Sequence, residues 1–167
     1  MAELSDCKFS EVVPFSAEAS VAAKWLNVGF GADMGYSLAE TEDWCNHLAQ
    51  AESETLMVAK IRHRIVGTVV VCECDLEGYE HLTPWLSSLF VPVADRGNGI
   101  GALLAREATD WASRQNHADL YLYAKMGKLI PYYKSLGWLG MEDIQVHGEA
   151  FQIMKKPLAP SSRYEFS

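Results

Sequence analysis

Residues 96–102 read Arg96-Gly97-Asn98-Gly99-Ile100-Gly101-Ala102, three alternating glycines behind an apolar run that Pro92 ends. From Ile100 onward the apolar positions recur at helical spacing, so the glycines feed the first turn of a helix. The amides of a first turn have no partner inside the helix and carry the positive end of its dipole. Glycines clear away side chains that would hold an anion off, and they permit left-handed backbone. The chemistry on offer is binding of a phosphate or diphosphate, with Arg96 as an added charged donor. A plain glycine-rich turn is the simpler alternative. Three spaced glycines there cost conformational entropy, which a close backbone approach would justify.

Two nucleotide signatures compete for this turn. Gly97, Gly99 and Ala102 match the GxGxxA form of the dinucleotide fingerprint. That fingerprint expects repeated βαβ units and an acidic residue ending the next strand. Here Ala124 is followed by Lys125, and the remaining chain has room for only one more short helix. The nucleoside-triphosphate loop fails as well, because no Gly-Lys-Ser or Gly-Lys-Thr follows.

The elements that must position the turn can be read along the chain. Residues 8–13 form a first strand, stopped by Pro14. Across residues 17–28, Val21, Trp25 and Val28 mark one helical face, and Gly29, Gly31 and Gly35 then mark a loop. Ser37 and Glu40 have capping-box spacing and open a second helix through Trp44 and Leu48. Residues 55–61 and 64–74 are rich in β-branched side chains and separated by Arg62 and His63, which predicts a hairpin. Residues 85–91 are a further strand. Ile100, Leu103, Leu104, Ala108, Trp111 and Ala112 predict an amphipathic helix over 100–114. A short strand at 120–124, a short helix at 131–136 closed by Gly137, and a last hairpin around Gly148 complete the chain. The order β-α-α-β-β-β-α-β-α-β-β is an α/β fold, one mixed central sheet flanked by helices.

Composition bounds the function. The 167 residues suit a single domain, 1–167, with a trailing tail from about residue 157. No internal repeat, low-complexity tract or charge block interrupts it. With 49% apolar residues the chain can build a core, yet its longest apolar run, residues 65–72, is too short to cross a bilayer. A formal charge of −8 argues against nucleic acid, because a phosphate-neutralising protein needs excess Lys and Arg. The start Met-Ala-Glu-Leu-Ser-Asp has neither a basic nor an apolar stretch, so a cytoplasmic location is expected, with no membrane partner. Cys7, Cys45, Cys72 and Cys74 form no CxxC and suit no zinc site; they are expected to be buried, reduced thiols. Cys72 and Cys74 would share one strand face. No metal is implied.

The motifs together resemble a known family. Arg96-Gly97-Asn98-Gly99-Ile100-Gly101 is similar to the Arg/Gln-x-x-Gly-x-Gly/Ala motif of the GNAT N-acetyltransferases. Roughly forty residues on, Tyr132-Tyr133-Lys134-Ser135-Leu136-Gly137-Trp138 is similar to their second signature, Tyr-x-x-x-Gly-Phe. The resemblance covers about residues 8–155 and implies acetyl-CoA as cosubstrate and an amine on a small molecule or peptide as acceptor. It implies that the backbone of Leu89, Phe90 and Val91 pairs with the pantetheine arm and that the amides from Gly97 to Ala102 hold the diphosphate. It makes Tyr133 the group that protonates the departing thiolate. Many members carry Asn seven residues before that Tyr, where this chain has Met126, and some carry Glu where it has Trp85. Homodimers are common in the family.

Acetyl transfer needs a neutral amine, a donor for the carbonyl oxygen and a proton for the thiolate. A Lys-like amine has a pKa of about 10.4, so neutralising it at pH 7 costs roughly 4–5 kcal/mol. A backbone N–H near Phe90 or Val91 could serve the oxygen. Glu73, Asp75 and His81 are candidate bases. The acceptor groove would draw on Phe30, Asp33, Met34 and Tyr36 with His147 and Glu149, where aromatics and carboxylates suit a cation with an apolar neighbour. No Cys or Ser beside a base suggests an acetyl-enzyme, so transfer is expected to be direct. Two alternatives stay open: a non-catalytic module binding CoA or acetyl-CoA, and a nucleotide-binding oxidoreductase.

Overall fold

The computed structural model describes residues 4–160, as an α/β fold with a seven-stranded mixed sheet in the order β1-β2-β3-β4-β5-β7-β6. The strands are Cys7–Glu11 (β1), Thr55–Ile61 (β2), Arg64–Cys72 (β3), Trp85–Phe90 (β4), Asp119–Lys125 (β5), Leu139–Val146 (β6) and Glu149–Pro157 (β7). The helices are Ala17–Leu26 (α1), Leu38–Gln50 (α2), Ile100–Arg114 (α3) and Leu129–Ser135 (α4). The element order is the one expected, with 3₁₀ turns at Leu4–Asp6 and Val93–Asp95 and a π turn at Asn27–Gly31 added. β4 and β5 are parallel, which makes the sheet mixed. No helix among the described residues is long and apolar enough to cross a membrane.

The chain forms two compact units. One comprises the described residues up to Cys72 with Ser87–Ala108; the other comprises Glu73–Leu86 and the described residues from Thr109 onward.

In the first unit, local chemistry sets each boundary. Ser16 caps α1 by accepting from the Ala19 amide at 3.1 Å. Ser37 and Glu40 close a reciprocal capping box at 3.1 and 2.7 Å, which fixes the start of α2 as the spacing requires. The expected apolar face of α1 is corrected. Ala19, Ala22, Ala23 and Leu26 are the buried positions, whereas Val21 and Trp25 are half-buried and Val28 is 79% exposed. Alanines let α1 approach α2 closely, so the bulky side chains turn elsewhere. The glycine-marked loop begins as a π turn, tied down by Asn27 Nδ2, which donates to Tyr36 O at 2.9 Å and Thr41 Oγ1 at 3.1 Å. β2 and β3 form the expected hairpin, but β3 ends at Cys72. Cys74 is exposed beyond the strand, and Cys7 is only partly covered, so the expectation of four buried thiols holds for Cys45 and Cys72 alone. α3 sits directly on β3: a Cβ at Gly67 would lie 2.6 Å from Leu104 Cδ1 and 3.2 Å from Phe90 O.

In the second unit, β5 pairs with β7 and β7 with β6, all antiparallel. α4 starts two residues earlier than the sequence suggests. It closes as expected, at Gly137 with φ +93°, where the Trp138 amide donates back to Tyr133 O at 3.1 Å. After Pro157 the chain is still tied in, with the Leu158 amide donating to Ala118 O at 2.9 Å and Ser113 Oγ to Ala159 O at 2.6 Å. The expected tail beyond residue 160 lies outside the described residues.

Candidate active site

The first unit holds the glycine turn. β4 passes from buried at Trp85, Leu86 and Ser87 to half-buried at Ser88, Leu89 and Phe90. Ser88 has φ +50°, a left-handed residue inside a strand. Such irregularities interrupt the ladder and re-aim backbone amides, and they recur beside active sites. Sequence reading missed it, because a serine in an apolar run carries no signal for positive φ. Past β4, Val91 and Pro92 lead through the 3₁₀ turn to the glycines. Gly97 and Gly99 have φ +82° and +84°, which only glycine adopts without strain. Nothing lies within 4 Å of a Cβ at Gly97, so the turn leaves open space in front of its backbone. The Leu103 amide donates to Gly99 O at 3.2 Å, which makes Ile100, Gly101 and Ala102 the first turn, with amides unpaired inside the helix. Ile100 contributes only that amide, since its side chain is 2% exposed and belongs to the core. This cradle fits a diphosphate: free first-turn amides, a helix dipole behind them and open space at Gly97, with Leu4 Cδ2 at 3.4 Å from the Cβ position of Gly99 as the one side chain beside the two left-handed glycines among the described residues.

Arg96 is placed differently from a free phosphate donor. Its Nε donates to Val91 O at 2.7 Å, and its guanidinium carbon lies 5.8 Å from the Phe90 ring centroid. Phe90 in turn meets Trp25 at 5.9 Å and, edge-on, Phe30 at 6.3 Å. Asn98 Nδ2 donates to Asp95 O at 3.3 Å, and the Asp95 carboxylate is held by Arg64 Nη1 at 2.9 Å. Leu89, Phe90, Val91 and residues 96–102 therefore come together as the sequence suggests, with Ser88, Trp25 and Arg64 as additions. Phe30, Asp33, Met34 and Tyr36 are all exposed.

The second unit holds Tyr133, Met126 and the candidate bases. Tyr133 is 8% exposed, packed edge-on against Tyr132 at 5.2 Å and Trp138 at 6.0 Å. Burial, with a smaller contribution from Tyr132, pushes its hydroxyl up to about 12. Met126 is 44% exposed. Trp85, where some relatives carry a carboxylate, is fully buried with its indole N–H on Leu82 O at 2.6 Å. Glu73 and Asp75 both have partners, and His81 stacks on Tyr79 at 5.9 Å. Glu149 is engaged by Lys125 at 3.1 Å, while His147 is exposed at the tip of the last hairpin.

Comparison with known proteins bears on what this geometry serves. No curated protein matches the sequence. Among solved structures, a ribosomal-protein-alanine N-acetyltransferase from Brucella melitensis superposes with a TM-score of 0.74 at 19% identity, covering 90% of this chain and 99% of that one. A GNAT-family acetyltransferase from Streptococcus pneumoniae gives 0.69 at 19% identity, covering 92% and 99%. An aminoglycoside 6′-N-acetyltransferase complexed with coenzyme A gives 0.73 at 14% identity, covering 92% and 98%. These likenesses establish the fold. The model of the acetyltransferase (GNAT) family matches residues 22–138, a stretch that holds both the glycine turn and the Tyr133–Trp138 signature. The chain belongs to the acetyltransferase (GNAT) family, and its activity is acetyl-CoA-dependent N-acetylation.

Proposed function

We propose that this N-acetyltransferase moves the acetyl group of acetyl-CoA directly to a primary amine, of a small molecule or peptide, in a ternary complex. The observation that carries the reading is the pair of left-handed glycines opening onto unpaired amides at the head of α3. The diphosphate lies on the amides of residues 97–102, and the pantetheine arm runs along the backbone of Leu89, Phe90 and Val91. In the reaction the bound ammonium first gives one proton to water; the neutral nitrogen then attacks the thioester carbon and sheds a second proton to water once the N–C bond has formed. The carbonyl oxygen takes up charge against a backbone N–H of β4 beyond Ser88, and the C–S bond then breaks. By its place in the Tyr133–Trp138 signature, Tyr133 is assigned the role of donor to the departing sulfur. A hydroxyl near 12 transfers its proton to a thiolate of conjugate pKa about 8.5 only at a cost of about 5 kcal/mol. Tyr133 therefore acts chiefly by hydrogen bonding, and the proton that finally reaches sulfur comes through solvent.

The acceptor is read from the exposed Phe30, Met34 and Tyr36 beside Asp33, a surface for an amine cation with an apolar neighbour. Two of the matching structures act on amines of that general kind, the aminoglycoside enzyme and a spermidine/spermine N-acetyltransferase from Vibrio cholerae. The whole chain is taken as one N-acetyltransferase domain, cytoplasmic and able to form homodimers. Incubation with acetyl-CoA and a panel of polyamines, aminoglycosides, amino acids and peptides, read by mass spectrometry and thiol release, tests the acceptor and the direct transfer. Acetylated amine with stoichiometric thiol supports the reading. Tight CoA binding with no acetylated amine and no thiol release across the panel overturns it.

A further inference from the structure

The turn between β2 and β3 concentrates positive charge in an acidic chain. Lys60, Arg62, His63 and Arg64 fall within residues 60–64, and residues 55–72 contain no Asp or Glu, against a formal charge of −8 overall. Two of these cations are spoken for. Lys60 Nζ pairs with Glu18, and Arg64 Nη1 with Asp95 Oδ2 at 2.9 Å. The second pair matters for position. Asp95 immediately precedes the glycine turn, and its carbonyl accepts from Asn98 Nδ2 at 3.3 Å. Hydrogen bonds thus run from the end of the hairpin to the diphosphate cradle, all within the first unit.

Arg62 has no acidic partner among the described residues and is exposed, as is His63 beside it. It occupies the first position of the two-residue connection between the paired Ile61 and Arg64, with φ +60°. Gly, Asn or Asp is the low-energy choice there, and a long arginine is held against its backbone preference. Strain of this kind is retained where the side chain has work to do. Ile61, Arg62, His63 and Arg64 line an open recess in front of the turn.

We infer that this recess receives the 3′-phosphate on the ribose of CoA, with Arg62 as its binding residue and Arg64 positioning the turn through Asp95. The inference rests on the reading that the glycine turn holds the diphosphate. In CoA the diphosphate leaves the 5′ oxygen of the same ribose that bears the 3′-phosphate, so one sugar ring separates the two anions. A guanidinium matches a phosphate with paired, charge-assisted hydrogen bonds, and with Asp95 neutralised by Arg64 no free carboxylate of the turn opposes it.

Calorimetric titration of the full chain with CoA and with 3′-dephospho-CoA tests this. The wild type should bind CoA about tenfold more tightly than dephospho-CoA at low salt, and the preference should narrow as salt is raised. Arg62→Ala should reduce the preference to about twofold or less by weakening CoA alone. Arg62→Lys should restore part of it. Arg62→Gly should also lose the preference while raising the thermal midpoint, because glycine relieves the left-handed backbone. Equal affinity of the wild type for both ligands, with both binding, overturns the inference and leaves the cradle intact. So does an Arg62→Ala variant that weakens both ligands equally. If neither ligand binds the wild type, the diphosphate reading fails and takes the inference with it.

Discussion

Arg96 Nε donates to the Val91 carbonyl at 2.7 Å while its guanidinium lies over the Phe90 ring, so one side chain braces two adjacent residues of the segment assigned to the pantetheine arm. The brace occupies one lone pair of a carbonyl that the arm would otherwise have to itself. Arg96→Ala should weaken CoA binding about three- to tenfold and cost about 1 kcal/mol of stability, from one hydrogen bond and one cation–π contact. Arg96→Gln, which keeps a side-chain N–H donor, should fall between wild type and alanine. Arg96→Lys places its charge without the fork and should do no better than alanine. Titration calorimetry and thermal unfolding read both effects, and an unchanged CoA affinity in the alanine variant would remove the brace from the account.

Gly97 and Gly148 form a matched pair for the glycine turn. Their φ angles are +82° and +80°, and nothing lies within 4 Å of a Cβ at either. Valine at either position should therefore cost a similar ~1–2 kcal/mol through the left-handed backbone alone. Only Gly97→Val places a side chain over the cradle amides, so it alone should lower CoA affinity, by more than tenfold. Equal CoA affinities in the two variants would show that the open face of the turn is not where the diphosphate lies.

Tyr133 is a buried hydroxyl held near 12, so it stays protonated across the working range. Tyr133→Phe keeps the ring against Trp138 and removes only the donor. The expected result is a ten- to hundredfold fall in kcat with little change in KM for acetyl-CoA, the pattern of an interaction made in the transition state. Any alkaline limb of the wild-type rate profile below pH 11 should survive in Tyr133→Phe, because that limb belongs to another group. Its disappearance would mean that the hydroxyl titrates far lower than its burial implies.

Legibility in the sequence followed the range of the interaction. The head of α3 was readable because a local rule, glycine before an apolar 3.6-residue period, fixes it. The Ser37–Glu40 box and the Gly137 cap were readable for the same reason. The face of α1 was not. Val21, Trp25 and Val28 have the spacing of a core stripe, yet the choice between that stripe and the alanine stripe is made by α2, which no local pattern records. Ser88 was invisible because its positive φ comes from sheet geometry. Arg64 was invisible as a partner of Asp95 because the two lie 31 residues apart. The candidate bases stayed unresolved for a chemical reason: a carboxylate in a loop has the same sequence signature whether it meets a substrate or a hydrogen-bond donor.

Thr68 in β3 is fully buried, and its hydroxyl has no hydrogen-bond partner among the described residues. A buried, unpaired hydroxyl costs about 1–3 kcal/mol relative to a satisfied one. Valine has nearly the same shape and no polar atom. Thr68→Val should therefore raise stability by about 1 kcal/mol and shift the urea midpoint upward with an unchanged slope. A lower midpoint would mean that the hydroxyl is satisfied in solution, by a water lodged behind β3.

Cys45 lies on α2, fully buried, and burial together with the nearby Glu42 carboxylate pushes its thiol from 9.0 up to about 12. The folded state thus holds the thiol proton more tightly than the unfolded chain does. Below pH 9 both states are protonated and the full contribution to stability is present. From pH 9 to about 12 the unfolded chain ionises while the folded one does not, so stability falls by up to about 1.4 kcal/mol per pH unit. Tyr133, moved from 10.0 to about 12, adds a second loss that begins one unit later. Cys45→Ala removes the first loss only. The variant should be less stable than wild type at pH 7, by about 1 kcal/mol for the missing sulfur. The gap should then close by about pH 10 and reverse above it, as the wild type loses what the variant never had. Urea midpoints at pH 7, 9.5 and 10.5 measure this directly, because the remaining ionisable groups are common to both proteins. Parallel curves across that range would mean that the Cys45 thiol titrates alike in the folded and unfolded chains, and that its burial beside Glu42 carries no electrostatic penalty.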